Sequence, residues 1–540
     1  MSAMTMKKAT SMNRLLPLVM MAGALLLTAA AQAAAPGITG PTFNLTAQPA
    51  YITQPDGQAV YSWGYGCNGT PSGFAPAAVK GATCPTMQIP GPTLIVTEGQ
   101  TVTVNLINNL PTSAGNTSIL FPGFQVTTTG GVAGLLTQEA APSPTAAPCV
   151  AGPSCVTYTF TASSPGTRAY YSGTQGDLQV EMGLSVVIIV LPKTIPAACT
   201  SGLAAQNLLV EAAWHETDFR LAPAAYDHAK SCYDREYLFQ FSEMDPNIHS
   251  QALAQVNAAG NCTAGAASCS LSVPTEPYHP AYFLINGRSM PDDMDPHYAS
   301  MYPHQPYNGN PHMHPGEQVL LRIVGQGRWQ HPFHEHGNHV RILARDGNLI
   351  LSQTDPNSLA GPLLFTTTTT PGMAMDGIFY FTGRGLNWDM YGHNPTSGDP
   401  NAKLPCTPDA NGYNTGVSAI SAINYYEWCQ DHNKPVQAAP FGDVASGGPV
   451  TLPDPNLFTV GAWYSGSPYL GINAAARSIG PVGSNPPSAK SANPNTTEAG
   501  WAFMWHSHNE REITTNNAFP GGMLMMMLVD SREFVIDESN

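Results

Sequence analysis

Two segments of this chain align residue for residue without a gap: Glu98-Gly-Gln-Thr-Val-Thr-Val-Asn-Leu-Ile-Asn108 and Pro315-Gly-Glu-Gln-Val-Leu-Leu-Arg-Ile-Val-Gly325. Gly99 falls on Gly316, Val102 on Val319, Val104 on Leu321 and Leu106 on Ile323. Both alternate apolar with polar positions, the pattern of a half-buried strand. Some way past each, a glycine closes a short strand: Gly123 after Ser118-Ile-Leu120-Phe-Pro122, and Gly337 after His334-Glu-His336. A third pair sets Tyr170-Tyr171-Ser172-Gly173 against Trp505-His506-Ser507-His508, each followed by a glycine and an apolar strand, Gly183 to Val190 and Gly522 to Val529. A repeat of this size means one supersecondary unit used twice, and strands that bury one face need a second sheet to cover them. The expected fold class is therefore all-β: tandem Greek-key β-sandwich domains, with long loop insertions in the second.

Composition agrees. Only 11% of residues are charged, while Gly (51) and Pro (49) are abundant, as in a chain of short strands joined by turns. Residues 1–33 read as a signal peptide: Lys7, Lys8 and Arg14, an apolar run from Leu15 to Ala30, then Ala31-Gln32-Ala33 as the cleavage motif. The mature chain is expected to begin near Ala34 and to be exported, to the periplasm or the extracellular face of the cell. No other segment is apolar for long enough to span a bilayer. The net charge of -15 leaves no basic cluster for nucleic acid. The first domain is expected over 36–192, a Pro- and Ala-rich link over Lys193–Ala204, and an enlarged second domain over 205–540, long enough to hold two. Stretches 394–420 and 475–499, rich in Asn, Pro, Gly and Ser, read as loops.

Ten cysteines pair with near neighbours in sequence: Cys67 with Cys84, Cys149 with Cys155, Cys199 with Cys232, Cys262 with Cys269, and Cys406 with Cys429. An even count in an exported chain favours disulfides over thiolate ligands, although spacing alone does not fix connectivity.

The chemistry sits in two histidine runs, His331-Pro-Phe-His334-Glu-His336-Gly-Asn-His339 and His506-Ser507-His508. On a strand, side chains at i and i+2 share a face, so His334 with His336, and His506 with His508, each offer two imidazoles to one side. Four convergent imidazoles suit copper or zinc. The competing reading is a set of hydrogen-bonded core histidines.

In these motifs the sequence resembles the multicopper oxidase superfamily, laccase-like proteins built from cupredoxin domains. The likeness rests on His331-Pro-Phe-His334-Glu-His336-Gly337 and His506-Ser507-His508, and extends to Gly91-Pro-Thr-Leu94, Gly166-Thr167, Phe283-Leu-Ile-Asn-Gly-Arg288 and Pro520-Gly-Gly-Met523. It implies a cupredoxin-like fold, copper as cofactor, and a small electron donor or redox protein as partner. By this likeness His334 matches a type 2 copper ligand, and His336, His506 and His508 match type 3 ligands. The other four trinuclear positions fall on Leu120, Pro122, Tyr171 and Gly173, none of which supplies an imidazole. At the type 1 centre His331 matches the first histidine, but Ser507 stands where the thiolate belongs, Glu512 where the second histidine belongs, and Met523 at the axial place after an insertion. A blue copper depends on a copper–thiolate bond, for which a serine hydroxyl is a hard, protonated substitute. The metal residues expected are thus His334, His336, His506 and His508, with His331 as an outer ligand, a set for one metal, or for two if Glu335, Glu510, Glu512 or a tyrosine joins. Two-domain relatives often trimerise to complete a cluster across chains. With the first-domain half empty, the oligomeric state stays open.

Between Met290 and His314 lies a second concentration: Met290, Met294, His297, Met301, His304, His312, Met313 and His314. It reads as an exposed loop, either gathering copper or merely polar. Met523 to Met527, Tyr171, His215 and His393 read as packing or structural residues. There is no nucleophile elbow, no zincin helix and no phosphate loop. Two functional readings follow: a copper-dependent oxidoreductase without a type 1 blue copper, or a non-catalytic cupredoxin-fold protein that stores copper or serves as a scaffold.

Overall fold

The computed structural model describes residues 34–143, 148–382, 407–428, 430, 466–469 and 500–538. Strands up to Leu191 make two five-stranded sheets, one running Gly166–Tyr171, Ser185–Leu191, Leu94–Thr97, Gly37–Thr39, Phe74–Ala75 and the other Ala59–Cys67, Thr42–Thr53, Thr101–Asn108, Cys155–Thr161, Thr127–Gly130. Strands from Arg235 onward repeat the plan. One sheet is centred on Arg235–Met244, Gln318–Gly325 and Ala374–Tyr380; the other runs His312–Met313, Leu524–Asp530, Gly500–Ser507, His331–Glu335, Thr366–Thr369. The fold is all-β and cupredoxin-like. Among the described residues no helix is long and apolar enough to cross a membrane.

The duplication holds down to individual ladders. Thr101–Asn108 and Gln318–Gly325, the strands aligned in sequence, each pair in parallel with an earlier strand and antiparallel with a later one. The glycines that enter them, Gly99 and Gly316, have φ of 84° and 83°, a left-handed turn that strongly favours glycine. The first-unit strand Thr101–Asn108 alternates in burial as expected, whereas Gln318–Gly325 is buried at every position after Gln318. Its second face is covered by the first unit: Leu238, Val324 and Ala374 pack against Ala169, Val187 and Ile189.

Polar contacts pin that contact in register. Asp376 accepts from the backbone N–H and the hydroxyl of Thr167 (3.1 and 2.6 Å), and from Tyr226; Arg322 donates to the same Thr167 hydroxyl at 3.1 Å. Gly166, φ 113°, lies against the Tyr226 hydroxyl and the Cα of Gly347, where a Cβ would come within 2.3 and 2.8 Å.

Gly202–Ala213 and Pro246–Ala259 are the longest helices among the described residues, the first occupying the end of the expected link and the start of the second unit. Four disulfides join the pairs expected from spacing: Cys67–Cys84, Cys149–Cys155, Cys199–Cys232 and Cys262–Cys269. Cys406–Cys429, the signal peptide, His393 and the 475–499 loop lie outside the described residues. Cys199–Cys232 closes a separation of 33 residues, so a Cys199→Ser/Cys232→Ser variant is expected to lose roughly 3–4 kcal/mol by the chain-entropy relation. A urea midpoint equal to that of the parent would show the bridge to be energetically idle.

Candidate metal centre

Strand alternation sorts the motif residues onto two faces. His334 lies directly opposite His506, while Phe333 lies opposite Ser507 and Glu335 opposite Trp505. Phe333, Glu335, Trp505 and Ser507 therefore turn inward with His331, and His334 and His506 turn outward. His336 and His508 lie diagonally on either side of the outward pair. The backbone N–H of His508 donates to Pro332 (2.7 Å), and the indole of Trp505 donates to the carbonyl of His336 (2.9 Å), fixing both ends.

The four rings converge. Ring centres are 4.8 Å apart for His334–His336 and His334–His508, 5.2 Å for His336–His506, and 5.5 Å for His334–His506 and His506–His508. One nitrogen from each of His334, His336 and His506 falls within 4.8 Å of the others, and His508 stands exposed at the rim. The Nε2 atoms of His336 and His506 are 3.4 Å apart. That matches the edge of a tetrahedron with metal–nitrogen bonds of 2.0–2.1 Å, which works out at about 3.3 Å.

Two of the rings, His334 and His506, are oriented by a second contact of the kind that fixes tautomers in metal sites. His334 Nδ1 lies 2.8 Å from the Thr366 hydroxyl, and His506 Nδ1 donates to the carbonyl of Ser507 at 2.6 Å, which leaves its Nε2 lone pair for the centre. Burial, reinforced by His336, His506 and His508, holds His334 down at about 4, and burial also lowers His506. Both present neutral imidazole at neutral pH. The donor set suits copper or zinc, and its nitrogen-only character carries no thiolate.

His331 is not part of this group, contrary to the expectation of an outer ligand. Its three-residue offset from His334 turns it to the opposite face of the strand. There it is fully buried and gives both ring nitrogens to carboxylates: Nδ1 to Glu512 and Nε2 to Glu243, each at 2.9 Å. Ser507 donates to the same Glu512 oxygen, and Glu243 also accepts from the backbone N–H groups of Arg328 (2.7 Å) and Trp329 (2.8 Å). Burial opposes a charged ring, but the hydrogen bonds to Glu243 and Glu512 outweigh it and raise His331 to about 9. Three of the positions that match the type 1 centre, His331, Ser507 and Glu512, thus form a closed ionic chain, with Met523 buried nearby in sequence.

The other suggested donors are elsewhere as well. Glu335 turns inward, accepts from the Thr367 hydroxyl at 3.1 Å and is pushed by burial well above the usual carboxylate range; Glu510 is exposed. The first unit reproduces the pairing without the chemistry: Leu120 bridges Tyr171 as His334 pairs with His506, and a Cβ on Gly173 would come within 2.7 Å of Leu120.

The Met- and His-rich segment is largely enclosed, not an exposed loop. His297, His312 and His314 are buried, as is Met313, while Met301 is exposed. Arg288 organises the segment by donating to the carbonyls of Gln305, Asp292, Asp295 and Pro296. Glu216, His314 and Glu317 come close enough for a metal, yet their atoms are already committed. His314 bonds the Asp530 carbonyl (2.8 Å) and Glu216 (2.6 Å), while Arg235 and Arg532 take Glu216 and Glu317.

Thr366 and Glu243 were missed in sequence. Thr366 sits in a run of threonines that signals only a strand, and Glu243 belongs to no motif.

A family model described as multicopper oxidase matches residues 78–195. No curated protein sequence matches the chain. Among solved structures it is similar to the multicopper oxidase mgLAC (15% identity, 90% of this chain and 86% of that one, TM-score 0.42). It is also similar to a blue copper oxidase from Nitrosomonas europaea (14%, 90% and 85%, 0.42) and a copper nitrite reductase from the same organism (17%, 63% and 84%, 0.35). The family match thus falls on the first unit and the link that follows it, and the histidine motifs on paired strands lie in the second unit.

Proposed function

We propose that this is an exported copper-binding oxidoreductase that works at His334, His336, His506 and His508 and has no type 1 blue copper. The observation that carries the reading is the division between the two faces of one strand pair. Outward, four imidazoles converge, with burial keeping His334 and His506 neutral; inward, Ser507, Glu512, His331 and Glu243 satisfy one another. Bound copper would supply one-electron redox chemistry at the outer face. The chain's own residues contribute nitrogen donors, the Thr366 contact that orients His334, and a rim opened by His508, through which a small electron donor reaches the centre directly. The four disulfides support export, because such bonds persist in oxidising compartments.

A second reading, copper storage without turnover, is favoured by one feature: the first-unit positions Leu120, Pro122, Tyr171 and Gly173 bring no ligand. Metal analysis with visible and electron paramagnetic resonance spectra tests both. Copper-loaded protein is expected to show a cupric signal without the intense visible band of a copper–thiolate bond. Reoxidation in air after reduction by ascorbate, repeated over many cycles, would support the oxidoreductase, whereas retention of cuprous ion in air would support storage.

A further inference from the structure

A cleft of about 440 Å³ opens on the sheet that contains Gln318–Gly325 and Ala374–Tyr380, at the edge formed by strands Val340–Arg345 and Leu363–Leu364. Its size falls within the roughly 300–1,000 Å³ of small-molecule sites. Strand pairing builds its floor. Arg341 lies opposite Leu363 on one side and Ile378 on the other, and side chains paired across a sheet share a face. Val340 and Ile342 turn to the opposite face, into the core with Phe333 and Trp505. Leu343 and Ile378 are buried and line the cleft, with Leu359 packed against them.

Arg341 is a cation without an acid. Its Nη1–H donates to the Gly361 carbonyl at 2.6 Å, which leaves the rest of the guanidinium fork uncommitted. Among the described residues neither Arg341 nor Lys230, which is exposed at the rim, pairs with a carboxylate. The chain carries 36 acidic residues against 21 basic ones, yet no Asp or Glu lines this cleft. Asp355 approaches through Ser358, but it is exposed and its carboxylate already accepts from the Ser358 hydroxyl (2.6 Å) and the Asn357 N–H (3.0 Å).

Two unneutralised cations beside an apolar floor are complementary to an anion with a hydrocarbon body. A guanidinium offers parallel N–H groups to the two oxygens of a carboxylate, and such charge-assisted bonds are stronger than neutral ones. At the mouth, Leu363 (45% exposed) and Tyr380 (38%) present apolar surface for a ligand to cover. We propose that this cleft is a binding site for a small organic acid, its carboxylate held by Arg341 and Lys230 and its apolar body laid over Leu343, Ile378 and Leu363. No histidine of the metal centre belongs to it, so neither reading rests on the other. The two are nonetheless neighbours: Phe365, two residues beyond Leu363 and equally exposed, sets its ring edge-on to His334 at 5.7 Å.

The test uses the full chain after treatment with a chelator, so that its result does not depend on the metal centre. Titration calorimetry is expected to show phenylpropionate binding at least about tenfold more tightly than neutral phenylpropionamide or cationic phenylpropylamine, the gain of a charge-assisted pair. Arg341→Gln should lower the affinity for the acid at least about tenfold and erase its advantage over the amide, while Arg341→Lys keeps most of it. Lys230→Gln, at the exposed rim, should cost about two- to fivefold. Arg345→Gln removes an exposed arginine of the same strand that does not line the cleft, and should leave the affinity unchanged. If Arg341→Gln does not fold, the comparison of acid with amide and the Lys230→Gln variant still decide. No binding of phenylpropionate, an amide bound as tightly as the acid, or an Arg345→Gln loss as large as that of Arg341→Gln would overturn the proposal.

Discussion

Replacing His506 with alanine is expected to abolish stable copper binding at the outer face of the second unit. His506 is central to the group: it faces His334 across the strand pair, brings Nε2 to 3.4 Å from that of His336, and has its Nδ1 already committed to the Ser507 carbonyl. Loss of a contact that merely orients a ligand costs 10–100-fold in metal affinity, so loss of the ligand itself is expected to cost at least about a hundredfold. The variant should keep its fold, because the ring lies at an outer face while the core side chains Trp505 and Phe503 stay in place. Copper per chain after dialysis, read beside circular dichroism, checks this. A folded His506→Ala protein holding as much copper as the parent would sink the proposed centre.

Replacing His331 with leucine is expected to destabilise the protein by roughly 3–5 kcal/mol without touching the outer histidines, the usual cost of leaving a buried ionic partner unpaired. Glu243 and Glu512 would lose the cation that bridges them, in a region where His331 and Ser507 are fully buried. Adding Glu243→Gln and Glu512→Gln should recover part of the loss by removing the stranded charges. The pH dependence has a definite sign. His331 is raised from about 6.5 to about 9, so its contribution is fully present below pH 6.5 and is lost as pH rises through 9. The gap in urea midpoint between parent and His331→Leu is thus expected to narrow between pH 6 and pH 10. A gap that widens over that range would mean the ring is not held as a cation.

The same network limits how simply a blue centre could be restored. A cysteine at position 507 would still face Glu512 and a charged His331.

Much of the architecture was legible because the signals were local. Gly99 and Gly316 mark the same left-handed entry into equivalent strands, and the H-x-H steps fix a shared face by period two alone. The likeness to the family placed Leu120 and Tyr171 where the structure bridges them. What could not be read depended on partners distant in sequence. Glu243 comes to His331 from another strand, and nothing in its neighbourhood announces that. The burial of Gln318–Gly325 depends on the first unit covering its sheet. The enclosure of the 290–314 segment depends on Arg288 gathering four carbonyls, an effect hidden beneath a polar composition. The face taken by His331 was available from the three-residue offset, but the motif drew it toward its neighbours.

The interface between the units bears on what the N-terminal copy contributes to the whole. Its strands Gly166–Tyr171 and Ser185–Leu191 cap apolar residues of the neighbouring sheet, and Thr167 supplies two of the hydrogen bonds that satisfy Asp376. Without it, those apolar side chains would be bared and Asp376 would keep only its second-unit partners, Tyr226 and Arg322, so the first unit serves the second as a cover.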